Sequence, residues 1–112
     1  MDSYEKEFLE NFHERLIKDF IDIFILAKLS DGKAMSGYDF VRFFHKKFDV
    51  MFSSGTVYSQ LYALERQGLL QRNRVSRKTA YSISKKTQKV IHVVTTLNSK
   101  IMELLESLSS QV

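Results

Sequence analysis

With 112 residues, 44% hydrophobic and 27% charged, the chain has the length and balance of one compact domain, which excludes a multidomain enzyme and a disordered or fibrous chain. The absence of cysteine excludes disulfides, thiolate metal sites and cysteine nucleophiles, and it fits a reducing compartment. The net charge of +4 is unevenly spread, since residues 1–31 carry eight acids and four bases while residues 66–100 carry nine bases and no acid. Such a basic block attracts nucleic acid or an anionic membrane surface, or is a solvated helix face.

From about Ser3 to Leu29, apolar residues recur at Leu9, Phe12, Leu16, Phe20, Phe24 and Ala27, in steps of three and four that predict a helix. A break is expected near His13, and added isoleucines predict that the second half is buried nearly all round. The apolar run from Phe20 to Leu29, interrupted by Asp22 and Lys28, falls short of the roughly 20 residues of a membrane span. The acidic start lacks the basic and then apolar pattern of a secretory signal, so a cytoplasmic location is expected. Ser30-Asp31-Gly32-Lys33 is a turn. Ser36 is the predicted N-cap of a second helix, with Asp39 as its acidic partner and Tyr38, Val41, Phe44 and Phe48 along one face.

Ser53 is the next expected N-cap, opening a third helix from about Ser54 to Gln67, with Val57, Leu61 and Leu64 as its apolar seam and Gly68 as its stop. The opposite face carries Gly55, Thr56, Ser59, Tyr62, Ala63 and Arg66, small or hydrogen-bonding groups without an acid. Leu69 to Arg74 and Thr79 to Ile83 read as two short strands joined by Val75-Ser76-Arg77-Lys78, a hairpin with a basic tip. Ser84 then caps a predicted final helix to about Ser107. Its apolar positions Val90, Val94, Leu97, Ile101, Leu104 and Leu108 alternate steps of four and three, a heptad seam to which Ile91 and Leu105 add. A helix packed on its own domain would show part of this pattern, but the length and terminal place favour a dimer seam.

Three helices, a hairpin and a helix form the order of a winged helix-turn-helix module: a mainly α (α+β) fold with a two-stranded β wing and a long C-terminal dimerisation helix. Residues 1–83 form the expected DNA-binding part and 84–112 the dimerisation helix of the same compact unit. Such modules set the third helix in the major groove and lay the wing on backbone or minor groove.

Two stretches carry a family likeness. Ile25-Leu26-Ala27-Lys28-Leu29 with Met35-Ser36-Gly37-Tyr38-Asp39-Phe40, and the run from Ser54-Gly55-Thr56-Val57-Tyr58 through Leu64-Glu65-Arg66-Gln67-Gly68-Leu69-Leu70, resemble the "ILALL…SGYDL" and "PGTVYPALYRLEEEGLI" stretches of the PadR-like transcriptional regulators. The resemblance covers about residues 20–84. It implies a homodimeric repressor on a palindromic promoter site, dimerising through one C-terminal helix as the family's short members do, and it supports a phosphate contact for the Tyr58 hydroxyl. Ser54 and Ser59 depart from the pattern, standing where the family usually has proline.

The expected DNA contacts are therefore Ser53, Ser54, Gly55, Thr56, Tyr58, Ser59 and Gln60 on the third helix and Arg72, Arg74, Arg77 and Lys78 on the wing. Ordinary capping and solvation are the alternative for Ser54, Thr56, Ser59 and Gln60, but their place at the start of the third helix favours a DNA role, whereas a solvated first turn explains Lys85, Lys86 and Lys89 equally well. The expected dimer contacts are Val90, Ile91, Val94, Leu97, Ile101, Leu104, Leu105 and Leu108. Gly37 and Gly68 are expected to serve close approach and helix exit. His13, His45 and His92 lack metal-ligand spacing, and no nucleophile–base pair or phosphate-cradling glycine loop is present, so no metal, cofactor or enzymatic activity is expected. The expected partners are double-stranded DNA, in association with the nucleoid, and a second copy, with a small-molecule effector left open. The competing readings are a winged-helix module that binds an acidic protein and a sequence-neutral architectural DNA-binding protein.

Overall fold

The computed structural model describes residues 1–109. Residues 110–112, the end of the expected C-terminal segment 84–112, lie outside the described residues. In chain order the elements are α1 (Ser3–Asp19), α2 (Ile21–Lys28), a 3-10 turn (Leu29–Asp31), α3 (Gly37–Phe48), α4 (Ser54–Arg66), β1 (Leu70–Val75), β2 (Lys78–Ile83), α5 (Lys85–Gln88), α6 (Ile91–Thr95) and α7 (Leu97–Ser109).

The first predicted helix is two helices, and the break falls at Phe20 rather than near His13. Neither Pro nor Gly stands there. The break marks a change of environment: along α1 only Ile17 is buried, whereas α2 buries Ile21, Ile25 and Leu26. The Asp22 carboxylate accepts from the Ile23 N–H at 2.9 Å and so supplies a side-chain acceptor to the first turn of α2.

Local chemistry sets the starts of the next two helices. Ser36 and Asp39 form a reciprocal capping box on α3, each side chain accepting from the other's backbone N–H at 3.1 Å. Ser53 Oγ caps α4 by accepting from the Thr56 N–H at 3.1 Å. Phe40 and Phe44 of α3, Val57, Leu61 and Leu64 of α4, and Ile25 and Leu29 before them meet in one core with Leu70, Tyr81 and Ile83 of the hairpin. Gly68, at φ 77°, turns the chain out of α4, as only a residue without Cβ does readily.

The strands pair antiparallel with Leu70 opposite Ile83, Arg72 opposite Tyr81 and Arg74 opposite Thr79. Directly opposed residues share a face, so Arg72 and Arg74 lie on the side of the sheet that buries Leu70, Tyr81 and Ile83. Met35 and Tyr81 exchange backbone hydrogen bonds at 3.0 and 2.8 Å, tying the hairpin to the chain before α3.

The expected continuous final helix is three helices. Ser84 does cap the first, its Oγ accepting from the Thr87 N–H at 3.2 Å. Beyond it stand Val90, Ile91, Val93, Val94, Thr95 and Thr96, a run of β-branched residues that lose side-chain freedom in a helix. Thr95 and Thr96 also turn their hydroxyls back on the His92 and Val93 carbonyls at 2.7 and 2.8 Å. The seam is divided accordingly: Ile91 packs against the core and Val94 and Leu97 are half-buried, while Ile101, Leu104, Leu105 and Leu108 on α7 are exposed.

Candidate nucleic-acid interface

Burial of Val57, Leu61 and Leu64 leaves the other side of α4 facing solvent. Ser53, Ser54, Gly55, Thr56 and Ser59 are exposed there, and Gln60 is half-buried beside them. No proline is needed to start this helix, because Ser53 caps it and Ser54 opens it. The uncapped N–H groups of the first turn lie next to exposed hydroxyls, a combination suited to a phosphate or a base edge. Tyr58 is half-buried, with its ring laid on Gly37. A Cβ added at Gly37 would meet that ring at 2.5 Å, so this glycine is what leaves room for the Tyr58 ring.

The wing tip is a two-residue turn, Ser76-Arg77, with φ values of 48° and 68°. Tight hairpins require this left-handed backbone, and it is usually met by Asn or Gly. Here it holds a basic side chain at the outermost point of the hairpin. Arg74, Arg77 and Lys78 are exposed and, among the described residues, form no ion pair. Arg72 differs from them, since its guanidinium donates to both oxygens of Glu65 at 3.2 and 2.8 Å.

Between α3, α4 and the hairpin lies an open cleft of about 650 Å³. Tyr38 and Arg42 line it from α3, Tyr58 and Tyr62 from α4, and Arg72, Lys78 and Tyr81 from the hairpin. Tyr38 and Arg42 were not among the expected site residues. Tyr38 was placed on the apolar face of its helix, yet it is 62% exposed and lies under the Arg42 guanidinium, 5.0 Å from ring centre to carbon. The signal was available in sequence as an aromatic four residues before an arginine. The Ser36 N–H, followed by Arg42, holds the Asp39 carboxyl below the usual carboxylate range. Burial pushes the Tyr81 phenol up, so it stays protonated and neutral.

Large apolar side chains are exposed elsewhere on the surface. Phe8, Leu9 and Phe12 on α1 and Val90, Ile101, Leu104, Leu105 and Leu108 toward the C-terminus are exposed. Among the described residues no group of three His, Cys, Asp or Glu could hold a metal ion, and no helix is long and apolar enough to cross a membrane.

No protein-family model matches the sequence, and no curated protein matches it. Solved structures match its fold. A PadR family transcriptional regulator from Eggerthella lenta superposes with a TM-score of 0.68 at 16% identity, over 96% of this chain and 96% of its own. A PadR-like transcriptional regulator from Bacillus cereus gives 0.67 at 17% identity, over 84% of this chain and 95% of its own. A point mutant of ZitR from Lactococcus lactis gives 0.54 at 19% identity over 81% of this chain, which spans 60% of that longer protein. The fold is therefore a winged helix-turn-helix. It is similar to the fold of the solved PadR-type regulators.

Proposed function

We propose that the chain is a sequence-specific DNA-binding regulator that acts as a homodimer and represses transcription by occupying a palindromic promoter site. One observation carries this reading: the polar N-terminal half of α4 stands exposed beside a hairpin whose tip presents Arg74, Arg77 and Lys78. With α4 in the major groove, Ser54, Thr56, Ser59 and Gln60 meet base edges and phosphates, while the wing tip lies against the neighbouring backbone or minor groove. The Tyr58 hydroxyl takes a phosphate at the margin. The exposed part of the heptad seam on α7 pairs with its copy. The two half-sites then sit about one duplex turn, roughly 34 Å, or a multiple of it apart. The regulators with the same fold are described as PadR-family transcriptional regulators, which supports the reading.

The test is a fluorescence-anisotropy titration on the DNA upstream of the chain's own gene and on a shuffled duplex, at several salt concentrations. A preference of about a thousandfold or more, with affinity falling steeply as salt rises, is the expected result. Equal binding to both duplexes would overturn sequence specificity in favour of an architectural role. No binding to either at low salt would overturn the DNA reading altogether.

A further inference from the structure

Arg72 belongs by sequence to the same basic block as Arg74 and Arg77, and by position it should meet DNA with them. Its surroundings say otherwise. The guanidinium makes a two-point contact with Glu65, at 3.2 Å from Nε and 2.8 Å from Nη2. Its central carbon also lies 5.6 Å from the Tyr62 ring centre and 5.8 Å from that of Tyr81. Glu65 is in the last turn of α4 and Arg72 is in β1, so this contact joins the DNA-reading helix to the wing. Among the described residues no other ion pair does so.

A two-stranded hairpin is marginal alone, and its direction depends on what holds it from the side. Here Leu70, Tyr81 and Ile83 are buried at its base, while the tip at Ser76-Arg77 stands free of the core. Arg72 stands directly opposite Tyr81, the last buried side chain before the tip among the described residues. The planar fork of an arginine on a carboxylate fixes a direction as well as a distance, which a lysine does not reproduce. The pair is half-exposed, so it adds little to global stability. Its charge is already balanced by Glu65, which weakens its attraction for a phosphate.

We propose that Arg72 is a positioning residue rather than a DNA contact: with Glu65 it holds the wing at the angle to α4 that delivers Arg77 to the groove beside the one α4 enters. This rests on the DNA reading above and deepens it.

The sign of one substitution separates the two roles. Glu65→Ala removes an acid from the DNA-facing side and frees Arg72. If Arg72 were a DNA contact restrained by Glu65, binding would tighten. If the pair positions the wing, binding to the specific duplex weakens by a few-fold, up to about fivefold, the population shift that a weak exposed pair can hold. Arg72→Ala and Arg72→Lys weaken it similarly. In an Arg77→Ala background, where the tip contact is already gone, Arg72→Ala changes affinity and salt slope little further. As a DNA contact it would instead lower the slope by about another 0.9. Wild-type binding together with tighter binding by Glu65→Ala, or additive losses for Arg72 and Arg77, overturns this proposal alone. A wild type that binds no duplex overturns the DNA reading and this proposal with it.

Discussion

The outer face of α4 and the outer face of α7 are both exposed helix surfaces, but they expose different chemistry. On α4 the solvent meets hydroxyls, an amide and, across the cleft, arginine and lysine, while the apolar seam beneath is fully buried. Water serves such groups well, so this face is complete in a single chain and needs a partner only for function. On α7 the solvent meets Ile101, Leu104, Leu105 and Leu108, and α1 adds Phe8, Leu9 and Phe12. Contiguous large apolar groups are costly to leave in water and mark contact surfaces. Under the proposed function, DNA is the reversible ligand of the first face and a second copy covers the second.

Leu104→Lys should break this comparison most severely. It places a lysine on both sides of the seam, and the account expects a monomer that loses about a hundredfold or more in DNA affinity, since both half-sites can no longer be held at once. Sedimentation velocity reads the first effect and anisotropy the second, and a variant that still sediments as a dimer would remove the seam from the account. Gly37→Ala attacks the other side of the comparison. The added Cβ meets the Tyr58 ring at 2.5 Å, and such overpacking typically costs about 1–3 kcal/mol. Chemical denaturation should show that loss and show it suppressed when Tyr58 is also truncated to alanine; wild-type stability in the single variant would contradict the close approach.

Arg77→Ala sharpens the reading of the wing. It should weaken binding to all duplexes alike and lower the salt slope by about 0.9, as loss of one phosphate or groove contact does, whereas a slope equal to wild type would count against the contact. The smallest effect is expected at the start of α3. Because the Ser36 N–H holds the Asp39 carboxyl low, its contribution to stability is complete above the ordinary carboxylate value of 3.8 and is lost as the pH falls through the lowered one. Asp39→Asn should therefore narrow the stability gap between neutral and acid pH, and an unchanged acid limb in thermal melts would contradict that role. Ser36→Ala should cost about 1 kcal/mol at neutral pH.

Much of the α3, α4 and hairpin end was legible because its signals are local. Ser36, Ser53 and Ser84 each cap the helix assigned to them, Gly68 turns the chain out of α4, and the basic hairpin tip falls within a residue of its expected place. What the sequence hid depends on tertiary partners or on competing propensities. The break at Phe20 follows from where burial begins, which periodicity alone does not locate. The heptad pattern from Val90 to Leu108 was real, but the β-branched run from Val90 to Thr96 divided its helix, a conflict of propensity that was readable and was outweighed by spacing. Charge counting groups Arg72 with Arg74 and Arg77, and its contact with Glu65 shows only in the fold because the two stand on different elements. Tyr38 sat on an apolar periodicity, yet it is exposed and lies under Arg42.

The most direct test of the division between the two faces is an amide NMR titration of the isotopically labelled protein with its own upstream duplex. The account predicts shifts concentrated at residues 53–60 and 76–78, with the exposed part of α7 unmoved because it already faces its copy. Shifts that spare α4 and the wing tip and gather instead on α1 or α7 would contradict it.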